Sequence, residues 1–134
     1  MSIGSVTQAD PLGHPALETL VVDDHERNRN LLRALLAQLG CQVSLAATGA
    51  AAVRLACRKP YHLIIMDWRM PGLNGDQAAS RIRRQGASQG AYLARWSTDP
   101  PLPGCAELYD AQLPKPVTCA ALALLVSRAR HQAS

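Results

Sequence analysis

Aromatic residues are the scarcest component of this sequence. Among 134 residues there is no phenylalanine, and there are only two tryptophans and three tyrosines. Hydrophobic residues still make up 48% of the chain, so a core has to be built mainly from aliphatic side chains. A chain of this length suits one domain and is short for two. The composition therefore predicts a single folded domain and argues against wholesale disorder.

Paired cysteines, long apolar runs and a secretory leader are also missing. The four cysteines form no C-x-x-C pair, which argues against a zinc site. No apolar stretch approaches the ~20 residues that a membrane-spanning helix needs. We therefore expect reduced thiols, with Cys41 and Cys119 packed in or near the core, a cytoplasmic location and no membrane contact by this domain.

Positive charge is in modest excess. Fourteen lysines and arginines against ten acids give a formal net charge of +4. The arginines are spread along the chain, and no DNA- or RNA-binding motif accompanies them. Solvated helix faces account for such spacing, so we expect no direct contact with nucleic acid.

Short apolar runs alternate with helical patterns along the chain. The runs predicted as strands are TLVVDD, CQVSLA, HLIIMD, AYLARW and AQL. Helices are predicted between the first four strands and after the fifth, the last one beginning near Thr118. Such alternation is typical of βαβ units with a parallel sheet. We expect a domain over residues 19–130, with residues 1–18 as a linker or disordered tail and 131–134 as a second tail.

Polar residues gather where these predicted strands end. Asp23 and Asp24 follow the first strand and Asp67 ends the third. Ser97 follows the fourth strand and Lys115 the fifth. The carboxyl ends of parallel strands share one edge of the sheet, where ligands bind in open α/β folds. Clustered carboxylates favour Mg²⁺, Lys115 suits a phosphate oxygen, and Asp67 suits an acyl-phosphate.

Three segments together resemble the receiver domain of two-component response regulators. They are LVVDDHERNRNLLRALLAQLG, LIIMDWRMPGLNG and LPKPV. The acid pair, the aspartate followed by M-P-G-x-x-G, and the K-P dipeptide occur in the family's order and at its separations. The stretch ERNRNLL looks most like receivers attached to hybrid sensor kinases. The resemblance implies an α/β fold with a doubly wound, five-stranded parallel sheet.

The resemblance also implies the roles of these residues. Asp67 matches the phosphoacceptor, which takes a phosphoryl group from a histidine kinase or a histidine phosphotransfer domain. Ser97 and Lys115 match the family's hydroxyl and lysine, and the Lys115–Pro116 peptide is expected to be cis. The domain would then be a signalling switch and not a turnover enzyme.

A Mg²⁺ cofactor is implied as well. Asp23, Asp24 and Asp67 match the family's metal site, with Asp24 as the direct ligand of the pair and Asp23 acting through water. The backbone carbonyl of Arg69 matches the third protein ligand.

The chain departs from the family between the hydroxyl and the lysine. Only 17 residues separate Ser97 from Lys115, and three prolines, Pro100, Pro101 and Pro103, occupy the usual start of the fourth helix. Because proline lacks an N–H and fixes φ, we expect that helix to be shortened or missing.

Single positions around the site depart too. Gln112 stands where the family usually has an aromatic switch residue, and Thr98 where it has a small one. Arg69 and Asp99 occupy positions that tune phosphoryl lifetime in the family, and we expect them to pair across the mouth of the site.

Several alternatives stay open at this point. Asp23 and Asp24 could cap the first helix. Thr98 could replace Ser97 as the functional hydroxyl. His25 is expected to be an exposed residue in the first helical turn. The runner-up function is a pseudo-receiver, an interaction module with an altered output face and little phosphoryl transfer. A phosphohydrolase would need an acid where Arg69 stands.

Overall fold

The fold is a five-stranded parallel sheet with helices on both faces. It is seen in a computed structural model that describes residues 15–133. The strands are β1 (Leu17–Val22), β2 (Cys41–Ala46), β3 (Leu63–Asp67), β4 (Tyr92–Trp96) and β5 (Ala111–Leu113). The helices are α1 (Glu26–Gln38), α2 (Gly49–Arg58), α3 (Gly75–Arg84) and α4 (Cys119–Ala133). The strand order is β2-β1-β3-β4-β5, which confirms the predicted doubly wound sheet.

The sheet separates two aliphatic cores. On one face, α1 and α4 pack against the strands through residues such as Leu32, Leu36 and Leu122. On the other face, α2 and α3 contribute mainly alanines, such as Ala52 and Ala78, which let the helices approach closely. The most buried strand is β3, all five of whose residues are buried. Its carboxyl end therefore delivers Asp67 to the middle of the sheet's edge.

The ends of the domain differ slightly from the sequence pattern. The strand β1 begins at Leu17, two residues before the first predicted strand residue, because Leu17 is buried and pairs with Cys41. The helix α4 continues to Ala133, through residues predicted as a tail. The predicted tail over residues 1–14 lies outside the described residues. None of the helices over residues 15–133 is long and apolar enough to cross a membrane.

The expected loss of a helix is confirmed. Between β4 and β5 the only helical element is a single 3₁₀ turn, Ala106–Leu108. The guanidinium of Arg83 holds this segment against α3: Nε donates to the Leu108 carbonyl at 2.9 Å, and Nη2 lies 2.9 Å from Asp110 Oδ2. Residues 97–110 thus form an ordered stretch of the same domain, fastened to α3 by side chains.

Two smaller expectations had different outcomes. Cys41 is buried, as expected, but Cys119 is exposed because it is the first residue of α4. The Lys115–Pro116 peptide is cis, as the resemblance implied.

Candidate functional site

The predicted site residues from three strands come together at the carboxyl edge of the sheet. Lys115 Nζ lies 2.9 Å from Asp67 Oδ1 and 3.8 Å from Asp23 Oδ2. Asp23 is fully buried and Asp67 is 4% exposed, whereas the Lys115 side chain is one-third exposed. The ammonium group therefore bridges two buried carboxylates that otherwise repel each other.

The backbone around Asp67 explains part of the M-P-G-x-x-G spacing. The amide of Gly75 donates to the Trp68 carbonyl at 3.0 Å. A Cβ at Gly75 would lie only 2.3 Å from the Asp67 carbonyl oxygen, so only glycine allows α3 to begin this close to the strand. Gly72 has a φ of 76°, which also favours glycine.

Burial raises the pKa of Asp67 above its ordinary value. The negative charges of Asp23 and Asp24 act in the same direction, while the hydrogen bond and the charge of Lys115 oppose the increase in pKa. A cation among these carboxylates would favour their ionised forms.

The acid pair does not cap α1 in the usual way. The N-cap residue is His25, whose side chain makes no capping hydrogen bond. Asp23 Oδ1 accepts from the His25 amide at 2.8 Å, and Asp23 Oδ2 accepts from Asn28 Nδ2 at 3.2 Å. These bonds fix the orientation of the Asp23 carboxylate, and they also bind the first residues of α1.

A cluster of potential metal ligands is present at this edge. Ligand atoms of Asp23, Asp24, His25 and Asp67 all lie within 4.8 Å of one another. Asp24 Oδ1 is buried, and its polar neighbour among the described residues is the His25 ring nitrogen, 3.0 Å away. The oxygen-rich donor set suits Mg²⁺.

His25 also belongs to this cluster, and the sequence did not predict its membership. Its side chain is exposed, as expected, but Nδ1 lies 3.0 Å from Asp24 Oδ1 and 3.2 Å from Asp23 Oδ1. Its position directly after the acid pair was the one available indication.

Arg69 lies at the mouth of the site. Together with Asp24, Trp68 and Met70 it lines an open groove of about 450 Å³. Its Nη2 lies 3.3 Å from Asp99 Oδ2, so the expected pairing of these two side chains is present.

Ser97 is buried at the end of β4, next to the strand of Asp67, whereas Thr98 is exposed. This favours Ser97 over Thr98 as the residue at the site. Its hydroxyl oxygen accepts from the Asp99 amide at 3.0 Å. Gln112, at the position that is usually aromatic, donates to the Ser97 and Asp99 carbonyls and so steadies this loop.

A buried charged cluster behind the site was not predicted. Arg95 and Asp76, each about 1% exposed in its side chain, form an ion pair with Nε 3.2 Å from Oδ1. Trp68 Nε1 donates to Asp76 Oδ2 at 2.8 Å, and the Tyr109 hydroxyl also donates to Asp76. Burial, followed by the hydrogen bond to Asp76, raises the pKa of Tyr109. An arginine inside an otherwise apolar strand was the only sequence indication of this cluster.

Comparisons with known proteins agree on one family. The sequence of residues 19–94, more than half of the chain, matches the family model for the response regulator receiver domain. A virulence sensor protein, BvgS of Bordetella bronchiseptica, is 44% identical over 75 residues, which is 56% of this chain and 6% of that protein. The sensor histidine kinase AtsR of Burkholderia thailandensis is 29% identical, covering 87% of this chain and 20% of that protein. The chain thus spans a small part of the length of these relatives.

A solved structure is similar over most of the fold. The receiver domain of sensor histidine kinase PA1611 from Pseudomonas aeruginosa is 33% identical, with a TM-score of 0.76. The match covers 88% of this chain and 98% of that one. That structure is described with a magnesium ion coordinated in its active site cleft.

Proposed function

Because the chain belongs to the response regulator receiver domain family, we propose that it is a phosphoacceptor domain of a two-component phosphorelay, phosphorylated on Asp67. Receiver domains are signalling domains, and this one would act as a switch and not as an enzyme with turnover. The observation that carries the proposal is the position of Asp67, buried among the acid pair and in contact with Lys115.

The proposed step transfers a phosphoryl group from a phosphohistidine. An Asp67 carboxylate oxygen attacks phosphorus, the new O–P bond forms, and the P–N bond of the donor breaks. The bonding electron pair leaves with the imidazole, which takes up a proton. Lys115 offers its ammonium to a phosphoryl oxygen, and Ser97 offers its hydroxyl proton, because the hydroxyl oxygen is already held by the Asp99 amide.

The residues that would hold Mg²⁺ are Asp24, Asp67 and the backbone carbonyl of Arg69, with Asp23 acting through water. When bound, the ion neutralises charge on the transferred group. The clustering of carboxylate oxygens of Asp23, Asp24 and Asp67 within 4.8 Å of one another supports a cation at this place.

The partner in this reaction would be a histidine kinase or a histidine phosphotransfer domain. The relatives named above are sensor kinases, which supports this class of partner and a place beside or within a hybrid kinase. A cytoplasmic location follows from the same proposal.

The test is incubation with a small phosphodonor, such as acetyl phosphate, and Mg²⁺, followed by intact-mass analysis. We expect a single phosphoryl adduct on the wild-type protein and none on Asp67→Asn. Asp76→Asn is not a suitable control because Asp76 is buried in an ion pair. Glu107→Gln, exposed in the 3₁₀ turn, should be modified like wild type. An adduct that persists in Asp67→Asn would contradict the assignment.

A second candidate is a pseudo-receiver that binds partners and transfers little phosphate. The observation in its favour is the segment 97–110, where a 3₁₀ turn replaces a helix and Gln112 replaces the aromatic switch. Absence of an adduct with both acetyl phosphate and a phosphorylated histidine phosphotransfer domain would favour this reading.

A further inference from the structure

Trp96 lies beneath the lysine of the site. Lys115 Nζ is 4.6 Å from the centre of the Trp96 ring, while the same atom contacts Asp67 Oδ1 at 2.9 Å. Trp96 is 3% exposed and packs in the core on the side of α1 and α4, so its ring is held in place beneath the ammonium.

Strand pairing places Trp96 on β4, between the strand of the phosphoacceptor and the strand that leads to the lysine. Trp96 pairs with Asp67 of β3 on one side and with Leu113 of β5 on the other. Lys115 follows Leu113 by two residues. The register of three neighbouring strands therefore brings the ring and the ammonium together.

Packing alone is a poor explanation for tryptophan at this position. Its indole Nε1 is buried without a hydrogen-bond partner among the described residues, and such a group costs free energy that a leucine would avoid. The indole face, however, attracts a cation within about 6 Å more strongly than the rings of tyrosine or phenylalanine do. Lys115 has a flexible stem and a side chain that is one-third exposed, so a second contact restricts where its ammonium goes.

We propose that Trp96 is a positioning residue for Lys115, holding the ammonium over its ring so that it faces the phosphoryl group on Asp67. This inference rests on the proposed phosphoacceptor function. Trp96 does not contact the reacting atoms and acts only through the lysine.

The first test compares two replacements of similar size, Trp96→Phe and Trp96→Leu. Only phenylalanine keeps an aromatic face. With acetyl phosphate and Mg²⁺, we expect phosphorylation of Trp96→Leu to be slower by about three- to tenfold, and Trp96→Phe to recover most of the rate. Trp96→Met is a second non-aromatic variant if the leucine protein does not fold. Equal rates for the aromatic and non-aromatic variants would overturn the proposal.

The second test repeats the comparison in Lys115→Met. Because Trp96 acts through the ammonium, Trp96→Leu should change the already reduced rate by less than about twofold in this background. A full additional loss would mean that the ring serves packing only, which would overturn the proposal.

The third test does not depend on phosphate. In Trp68→Phe, Trp96 is the only tryptophan, so its emission can be followed alone. Adding Lys115→Met should shift that emission, since the charge over the ring is removed. Identical spectra would overturn the contact even if phosphorylation proceeds. Conversely, a wild-type protein that takes no phosphoryl group from any donor would remove the proposed function and this inference with it.

Discussion

Arg69 and Asp99 form an ion pair across the mouth of the site. Their side chains are 78% and 51% exposed, so the 3.3 Å contact adds little to the stability of the fold. Its position matters more, because Arg69 lines the open groove and Asp99 belongs to the loop that holds Ser97. If Asp67 is phosphorylated as proposed, the pair lies beside the groove through which water would reach the phosphoryl group.

We therefore predict that Arg69→Ala and Asp99→Ala each shorten the half-life of the aspartyl phosphate. A weak exposed pair predicts an effect of about two- to fivefold. The measurement is loss of the adduct with time after removal of the phosphodonor. Arg81→Ala, which removes an exposed arginine from α3, is the control and should leave the half-life unchanged. Half-lives equal to wild type in both variants would contradict this role.

At the scale of elements, a buried cluster connects the segment that lacks a helix to the rest of the domain. Asp76, at the start of α3, accepts hydrogen bonds from Trp68, Arg95 and Tyr109. The Arg95 guanidinium lies 5.4 Å from the centre of the Trp68 ring and 5.9 Å from that of Tyr109. Side chains from the residue after β3, from α3, from β4 and from the segment 97–110 therefore meet in one polar cluster.

Removing one member of the buried pair should be costly. Arg95→Met leaves the Asp76 carboxylate buried without its cation, so we expect the free energy of unfolding to fall by about 3–5 kcal/mol. The double variant Arg95→Met/Asp76→Leu should recover most of this loss, because no unpaired charge remains.

Urea unfolding measures both effects. Lys59→Met provides the control, because it breaks the partly exposed Lys59–Glu18 pair at 2.7 Å and should cost at most about 1 kcal/mol. If the double variant is as unstable as Arg95→Met, charge compensation does not explain the contribution of the cluster to the free energy of unfolding, and the prediction is wrong.

At the scale of the whole molecule, the acids clustered at the carboxyl edge of the sheet lower the stability of the fold, and the same cluster is suited to bind a cation. Three acids from β3 and the β1–α1 connection lie together, and Lys115 compensates only part of their charge. The folded chain concentrates this repulsion, while the unfolded chain does not. A cation that binds only the folded state would stabilise the whole domain.

We predict that Mg²⁺ raises the free energy of unfolding, by about 2.7 kcal/mol at 100 times its dissociation constant. In Asp24→Asn the metal-free protein should be more stable than wild type, since repulsion is relieved, and the Mg²⁺ increment should largely disappear. The measurement is urea unfolding with and without Mg²⁺ at equal ionic strength. Glu107→Gln should keep the full increment, and an equal increment in Asp24→Asn would contradict the proposed ligand set.

The sequence by itself determined the strand order along the chain, the edge at which the acids meet, and the loss of a helix. These features depend on local patterns: apolar runs ending in acids, prolines that exclude a helix, and glycines that permit tight turns. The meeting of Asp67 with Lys115 was predictable because parallel strands present their carboxyl ends at one edge.

Only the tertiary structure decided which side chains from distant parts of the chain meet. Asp76 is 19 residues from Arg95 and 33 from Tyr109, and no periodicity links them. Trp96 came to lie beneath Lys115 through strand register, and Cys119 proved exposed at the start of α4. Local patterns determine the direction and type of an element, whereas contacts between elements depend on packing of the whole chain.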